Sequence, residues 1–140
     1  MDYIERVKAA QATKDHFYGR LLEWGEVDCL EIASFCLKQL GHKAPTKGVA
    51  KYKNERGALR ALKTSGYESL VEAVDGFGLS RIAPAAAMAG DIIAYPGEGF
   101  GGFALGIALG DNKILGIAPD PLPVVDVAEL WAASYAWRAV

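Results

Sequence analysis

Apolar positions recur at helical spacing in the first half of the chain and at strand spacing in the second. Asp2 with Glu5 reads as a capping box opening a first helix that fades near Thr13. A better-marked helix opens at Asp28. There Asp28-Cys29-Leu30-Glu31 supplies an N-cap with an acidic residue three positions on, and Gly41 stands where a terminating glycine belongs. Leu30, Ala33, Leu37 and Leu40 form its stripe, at the spacings of three and four that a core-facing helix requires. Asn54 to Ser65 reads as a third helix, with Ala58, Leu59, Ala61 and Leu62 apolar and Gly66 after it, and Glu68 to Val74 as a short fourth.

After Pro84 the chain turns to Gly, Ala and β-branched residues. Asp91 to Tyr95, Phe103 to Leu109 and Lys113 to Ala118 read as strands, with Gly110-Asp111-Asn112 as the hairpin turn between the last two. Val124 and Val125 start another strand, Ala128 to Ala132 form a short turn of helix, and Tyr135 to Val140 close the chain as a strand. Helices first and tightly turned strands afterwards predict an α+β fold, N-terminal helices packed on a C-terminal antiparallel sheet. The Gly-rich tract Gly97 to Gly102 reads as a short mobile loop.

Length and charge narrow the classes. The 140 residues suit one domain spanning 1–140. With 15 Lys+Arg against 17 Asp+Glu, the net charge of −2 supplies no basic stripe for a nucleic acid or an anionic membrane surface. A hydrophobic fraction of 51% with 23% charged residues is that of a folded chain. The apolar stretches are cut by Asp91, Pro96, Glu98 and Asp111, so no membrane insertion is expected. The start, Met1 to Arg6, lacks the apolar run of a signal peptide, which predicts synthesis in a reducing cytoplasm. Cys29 and Cys36 are seven apart on one helix, about 10 Å along its axis at ~1.5 Å per residue. A disulfide needs less than about 7 Å, so they stay free.

Candidate chemistry centres on Trp24-Gly25-Glu26-Val27-Asp28-Cys29. A cysteine in the first helical turn faces unpaired N–H groups and the positive end of the helix dipole, which favours thiolate. The same residue is more often a small apolar filler beneath the sheet. A thiolate nucleophile ordinarily needs a base, most often His, oriented by a third polar group. The two histidines, His16 in a polar connector and His42 beyond the helix end, read as solvated surface residues, and the strand-rich half contains none. No CxxC, HExxH or cluster at metal-ligand spacing occurs, so neither metal nor cofactor is expected. Gly97 to Gly102 lacks the Lys-Ser/Thr and helix start of a phosphate loop. Asp91, after Gly90, reads as a turn acceptor, and Trp131, Tyr135 and Trp137 as core and edge packing.

Trp24-Gly-x-x-Asp28-Cys29 at a helix start, Ala89-Gly90-Asp91-Ile92-Ile93, and Ala104 to Gly110 in that order resemble the NlpC/P60 papain-like superfamily. Tyr52, Gly57 to Leu62, Gly66-Tyr67 and the terminal Ala136 to Val140 are similar, more closely, to the DUF6950-type proteins of phage and prophage tail gene clusters. The resemblance spans roughly Phe17 to the C-terminus. It implies a papain-like fold and places the family's nucleophile on Cys29, with Asp28 beside it. The catalytic histidine, which opens a strand written His-x-Gly-Ile, falls on Ala104, and the third polar residue on the segment from Ile114 to Gly116. The nucleophile is thus present while the base and its orienter are replaced, so peptidase activity is not expected. The resemblance implies a virion component at the tail tip or baseplate. It would be assembled in the bacterial cytoplasm and bind tail hub and distal tail proteins. The contrasting reading is a peptidoglycan-cleaving cysteine peptidase for cell-wall penetration, with a base recruited from elsewhere.

Overall fold

The structure is a computed structural model that describes residues 2–43, 45–46, 49–97, 102–119, 121–130 and 133–140. Four helices come first: α1 (Tyr3–Phe17), α2 (Cys29–Gln39), α3 (Glu55–Thr64) and α4 (Leu70–Asp75). Each starts on a polar cap. Asp2, Asp28, Asn54 and Ser69 accept from the backbone amides of Glu5, Glu31, Gly57 and Glu72, which is why the helix starts were readable. The first helix runs on to Phe17 rather than fading near Thr13. Thr13 is fully buried with its hydroxyl donating to the Ala9 carbonyl at 2.8 Å, and Phe17 anchors the last turn in the core. His16 therefore lies on α1, not in a connector.

Six strands follow: β1 (Ser80–Ile82), β2 (Ile92–Pro96), β3 (Phe103–Gly110), β4 (Lys113–Ala118), β5 (Val124–Glu129) and β6 (Tyr135–Arg138). They form one sheet in the order β1-β6-β2-β3-β4-β5, antiparallel at every pairing. Asp111 and Asn112 take φ of 53° and 61°, the left-handed pair of a tight two-residue hairpin. The helical turn expected from Ala128 is instead strand, because Ala128 and Glu129 pair with Ile114 and Lys113 in continuous register. Trp131 and Ala132 lie outside the described residues, as do Glu98 to Gly101 of the Gly-rich tract. The short β1, with too few residues to show alternation, was not visible in the sequence. The sheet rims are partly covered or short. Gly19 donates to Val125, Val125 to Arg20 and Leu22 to Pro123, so the segment after α1 pairs along β5, and β1 is three residues long.

The Leu30/Ala33/Leu37/Leu40 stripe of α2 is buried as expected, and Ile32, Ser34 and Cys36 are buried too. The helix is thus buried over most of its circumference, packed between α1 and the β3 region of the sheet, with Lys38 and Gln39 exposed. A larger core cluster joins it to Ile92, Ala94, Leu105, Ile107, Leu115 and Trp137, and a smaller one holds Ile93, Ala108, Ile114 and Ala136. Asp91 accepts from the Met88 amide, as a turn acceptor should, but it does more. Fully buried, it also pairs with Arg6 and Arg138 and accepts from the Ala139 amide.

Candidate functional site

Glu23 and Val27 exchange backbone hydrogen bonds and bring the chain into α2 through a tight turn. At its corner Gly25 has φ of 89°, and a side chain there would overlap the Tyr52 carbonyl. Asp28 closes the turn. Its Oδ1 accepts from the Glu31 amide at 2.9 Å, and its Oδ2 accepts from the Gly25 amide at 2.8 Å and the Tyr52 hydroxyl at 2.9 Å. With no exposed surface and three donors, Asp28 is a structural clamp on the start of α2. Tyr52 is held as the neutral phenol, because burial and the Asp28 charge raise its pKa.

Cys29 is the first residue of α2, as the sequence predicts, and only 5% exposed. Burial pushes its thiol up to about 12. A Leu105 backbone hydrogen bond acts in the opposite direction, and the Asp28 charge adds to the rise. Desolvation outweighs the helix terminus, so the group is a thiol at neutral pH, the small buried filler rather than an activated thiolate. Cys36 is likewise free and buried, its thiol facing the Gly90 carbonyl at 3.7 Å and pushed up to about 11 by burial.

The histidines are engaged elsewhere. His16 stacks on Phe35 with ring centroids 4.6 Å apart. His42 is half-buried, not a solvated surface group, because its Nε2 hydrogen-bonds the Ala139 carbonyl. Among the described residues no hydrogen bond links either one to the Cys29 sulfur. Ala104 sits on β3 opposite Tyr95 of β2. The segment from Ile114 to Gly116 presents no polar side chain, and the space over it is filled. A methyl group at Gly116 would overlap the Tyr95 hydroxyl, which accepts from the Ile117 amide at 3.1 Å. The Tyr95 ring also covers Gly106. Burial first, and the nearby Cys29 second, raise the Tyr95 pKa. Nothing in Asp91-Ile92-Ile93-Ala94-Tyr95 says that two glycines on other strands make room for the Tyr95 ring, so the sequence does not mark it. Among the described residues no group of His, Cys, Asp and Glu is placed to hold a metal ion. No helix of the described residues is long and apolar enough to cross a membrane.

Residues 4–139 match a family model described as a domain of unknown function, DUF6950. Among solved structures, the chain is similar to the NlpC/p60 domain of the peptidoglycan hydrolase SagA. The two are 17% identical, with a TM-score of 0.59 and 99% of each chain covered. At that identity the likeness is one of fold, and the fold is NlpC/P60-like. No curated protein matches the chain.

Proposed function

This chain belongs to the DUF6950 family, and we propose that it is a phage tail-tip or baseplate component acting by binding, with a degenerate NlpC/P60-like site. Its partners under this reading are the tail hub and distal tail proteins, met in the host cytoplasm during assembly and retained in the virion. The tail setting rests on the sequence resemblance described above. The observation that carries the loss of chemistry is Cys29: a buried thiol held protonated, with Ala104 where the resemblance puts the imidazole. Base and orienter together are worth several orders of magnitude in rate. Tyr95 fills the space over the third position, so a polar side chain at Gly116 has no room.

The second reading, a peptidoglycan-cleaving cysteine peptidase, draws on one feature: the Asp28-Cys29 start of α2 is intact. It requires a base from a partner and an opening that exposes the sulfur. The test is to purify particles, detect the chain by mass spectrometry, and compare wild type with Cys29→Ala. The binding role predicts that the chain is present and that Cys29→Ala particles assemble and infect normally. Cys29→Ala particles that assemble but fail to cross the cell wall would overturn it. So would hydrolysis of cell-wall peptides that disappears in Cys29→Ala.

A further inference from the structure

A cleft of about 970 Å³ runs along one side of α2, and Cys29 is not among the residues lining it. That volume is in the range of a ligand site. Trp24 and Tyr52 line it near the start of the helix, and α2 contributes Leu30, Glu31, Ser34 and Lys38, a single stripe down one face. The rim carries further carboxylates and lysines in matched number, Glu23 and Glu26 against Lys51 and Lys53.

Ser34 is the unusual member. It is 3% exposed, yet its hydroxyl makes no hydrogen bond with another described residue. Helical Thr13 and Ser65 return theirs to the carbonyl four residues back. A hydroxyl of a buried residue that reaches the cleft with no protein partner is open to a ligand. Glu31 and Lys38 lie seven residues apart on α2, about 10 Å along the axis. Neither side chain is in a hydrogen bond or ion pair with another described residue; burial raises the Glu31 pKa, the Asp28 charge adds to the rise and the Lys38 charge opposes it.

An extended polyproline-II segment rises ~3.1 Å per residue with three residues per turn. Side chains at positions i and i+3 therefore point the same way about 9 Å apart, which matches the Glu31–Lys38 interval. Aromatic-lined grooves are the usual seat of such segments. We propose that this cleft docks an extended, polyproline-II-like segment of a partner protein, presenting a basic side chain to Glu31 and an acidic one three residues away to Lys38, with Ser34 bonding the backbone between them. The assignment rests on the binding role proposed above and names its surface.

The full chain is titrated, by amide NMR, with a capped tetrapeptide of sequence lysine-proline-proline-glutamate. Peptides with glutamine, or with lysine, at both ends are the controls. The mixed-charge peptide should shift the α2 amides around Ser34 and bind at least about fivefold more tightly than the glutamine peptide, as two half-exposed ion pairs allow. Glu31→Gln and Lys38→Gln should each weaken it about two- to fivefold. Lys38→Glu, on an exposed position, should transfer the preference to the lysine-ended peptide, a gain that misfolding cannot mimic. Equal affinity for the glutamine peptide, or shifts confined to another surface, would overturn the proposal. A muropeptide that shifts the same amides more strongly would overturn the choice of a protein segment. If the chain is absent from particles while the cleft discriminates among the peptides, the tail role fails and the cleft stands. If the chain is present and the peptides do not bind, the cleft alone fails.

Discussion

The Arg6 guanidinium and the Asp91 carboxylate, 85 positions apart in the chain, meet in a pocket closed to solvent. Arg138 and the Ala139 amide converge on the same carboxylate at 2.9 Å each. One acidic side chain therefore ties α1, the entry to β2 and the exit of β6. Arg6 Nε has no partner there, so the pair is not a perfect fit. Burying an ion pair gains little net stability, but removing one partner leaves the other charge desolvated. Arg6→Ala should lower unfolding stability by about 3 kcal/mol in urea titration. A loss below about 0.5 kcal/mol would mean that Arg138 alone satisfies Asp91.

The two buried thiols set a pH dependence. Cys29 is raised from 9.0 to about 12 and Cys36 from 9.0 to about 11. Between those limits the folded chain keeps protons that the unfolded chain has released, so stability falls as pH rises above about 9. Tyr52 and Tyr95, also raised, add the same sign at higher pH. Chemical denaturation from pH 7 to 10 should show a decline beginning near 9, and the Cys29→Ala/Cys36→Ala variant should be flatter there. At pH 8 iodoacetamide should label the urea-unfolded protein and spare the native one. Rapid labelling of native Cys29 would contradict its burial.

Tyr95 and Gly116 should be energetically coupled. Gly116→Ala drives a methyl group into the phenol hydroxyl and should destabilise by about 1–3 kcal/mol. Tyr95→Phe loses the acceptor for the Ile117 amide, a loss of about 1 kcal/mol, but clears the oxygen. The double variant should then be more stable than the sum of the two losses, by at least about 0.5 kcal/mol in a thermodynamic cycle. Strict additivity would show that the ring does not seat on this glycine.

Local chemistry made much of this fold legible. Asp28 announced α2 because the cap, its acidic partner and Gly41 act within a dozen residues, and Asp111-Asn112 announced the hairpin for the same reason. Thr13 misled because polarity in a sequence says nothing of a hydroxyl that bonds its own helix. Cys29 was placed correctly on the helix. Whether it is a thiolate or an apolar filler depends on burial by strands more than 60 residues later, which its place on the helix does not show. The Tyr52–Asp28 bond, the Tyr95 seat and the Asp91 hub all join distant segments, and no spacing rule reads such contacts from one sequence.

The guarded sheet rims bear on how this molecule lives in a crowd. A naked outer strand is a template on which another copy can grow, and repeated growth ends in insoluble fibre. Here the start of β5, at Val124 and Val125, is occupied by the chain's own segment after α1. The opposite rim is only three residues long and carries Arg81, fixed to Asp75 and lying over the Tyr135 ring. Strand-to-strand growth is therefore opposed at the start of β5 by bonds already taken and along β1 by its shortness and its charge.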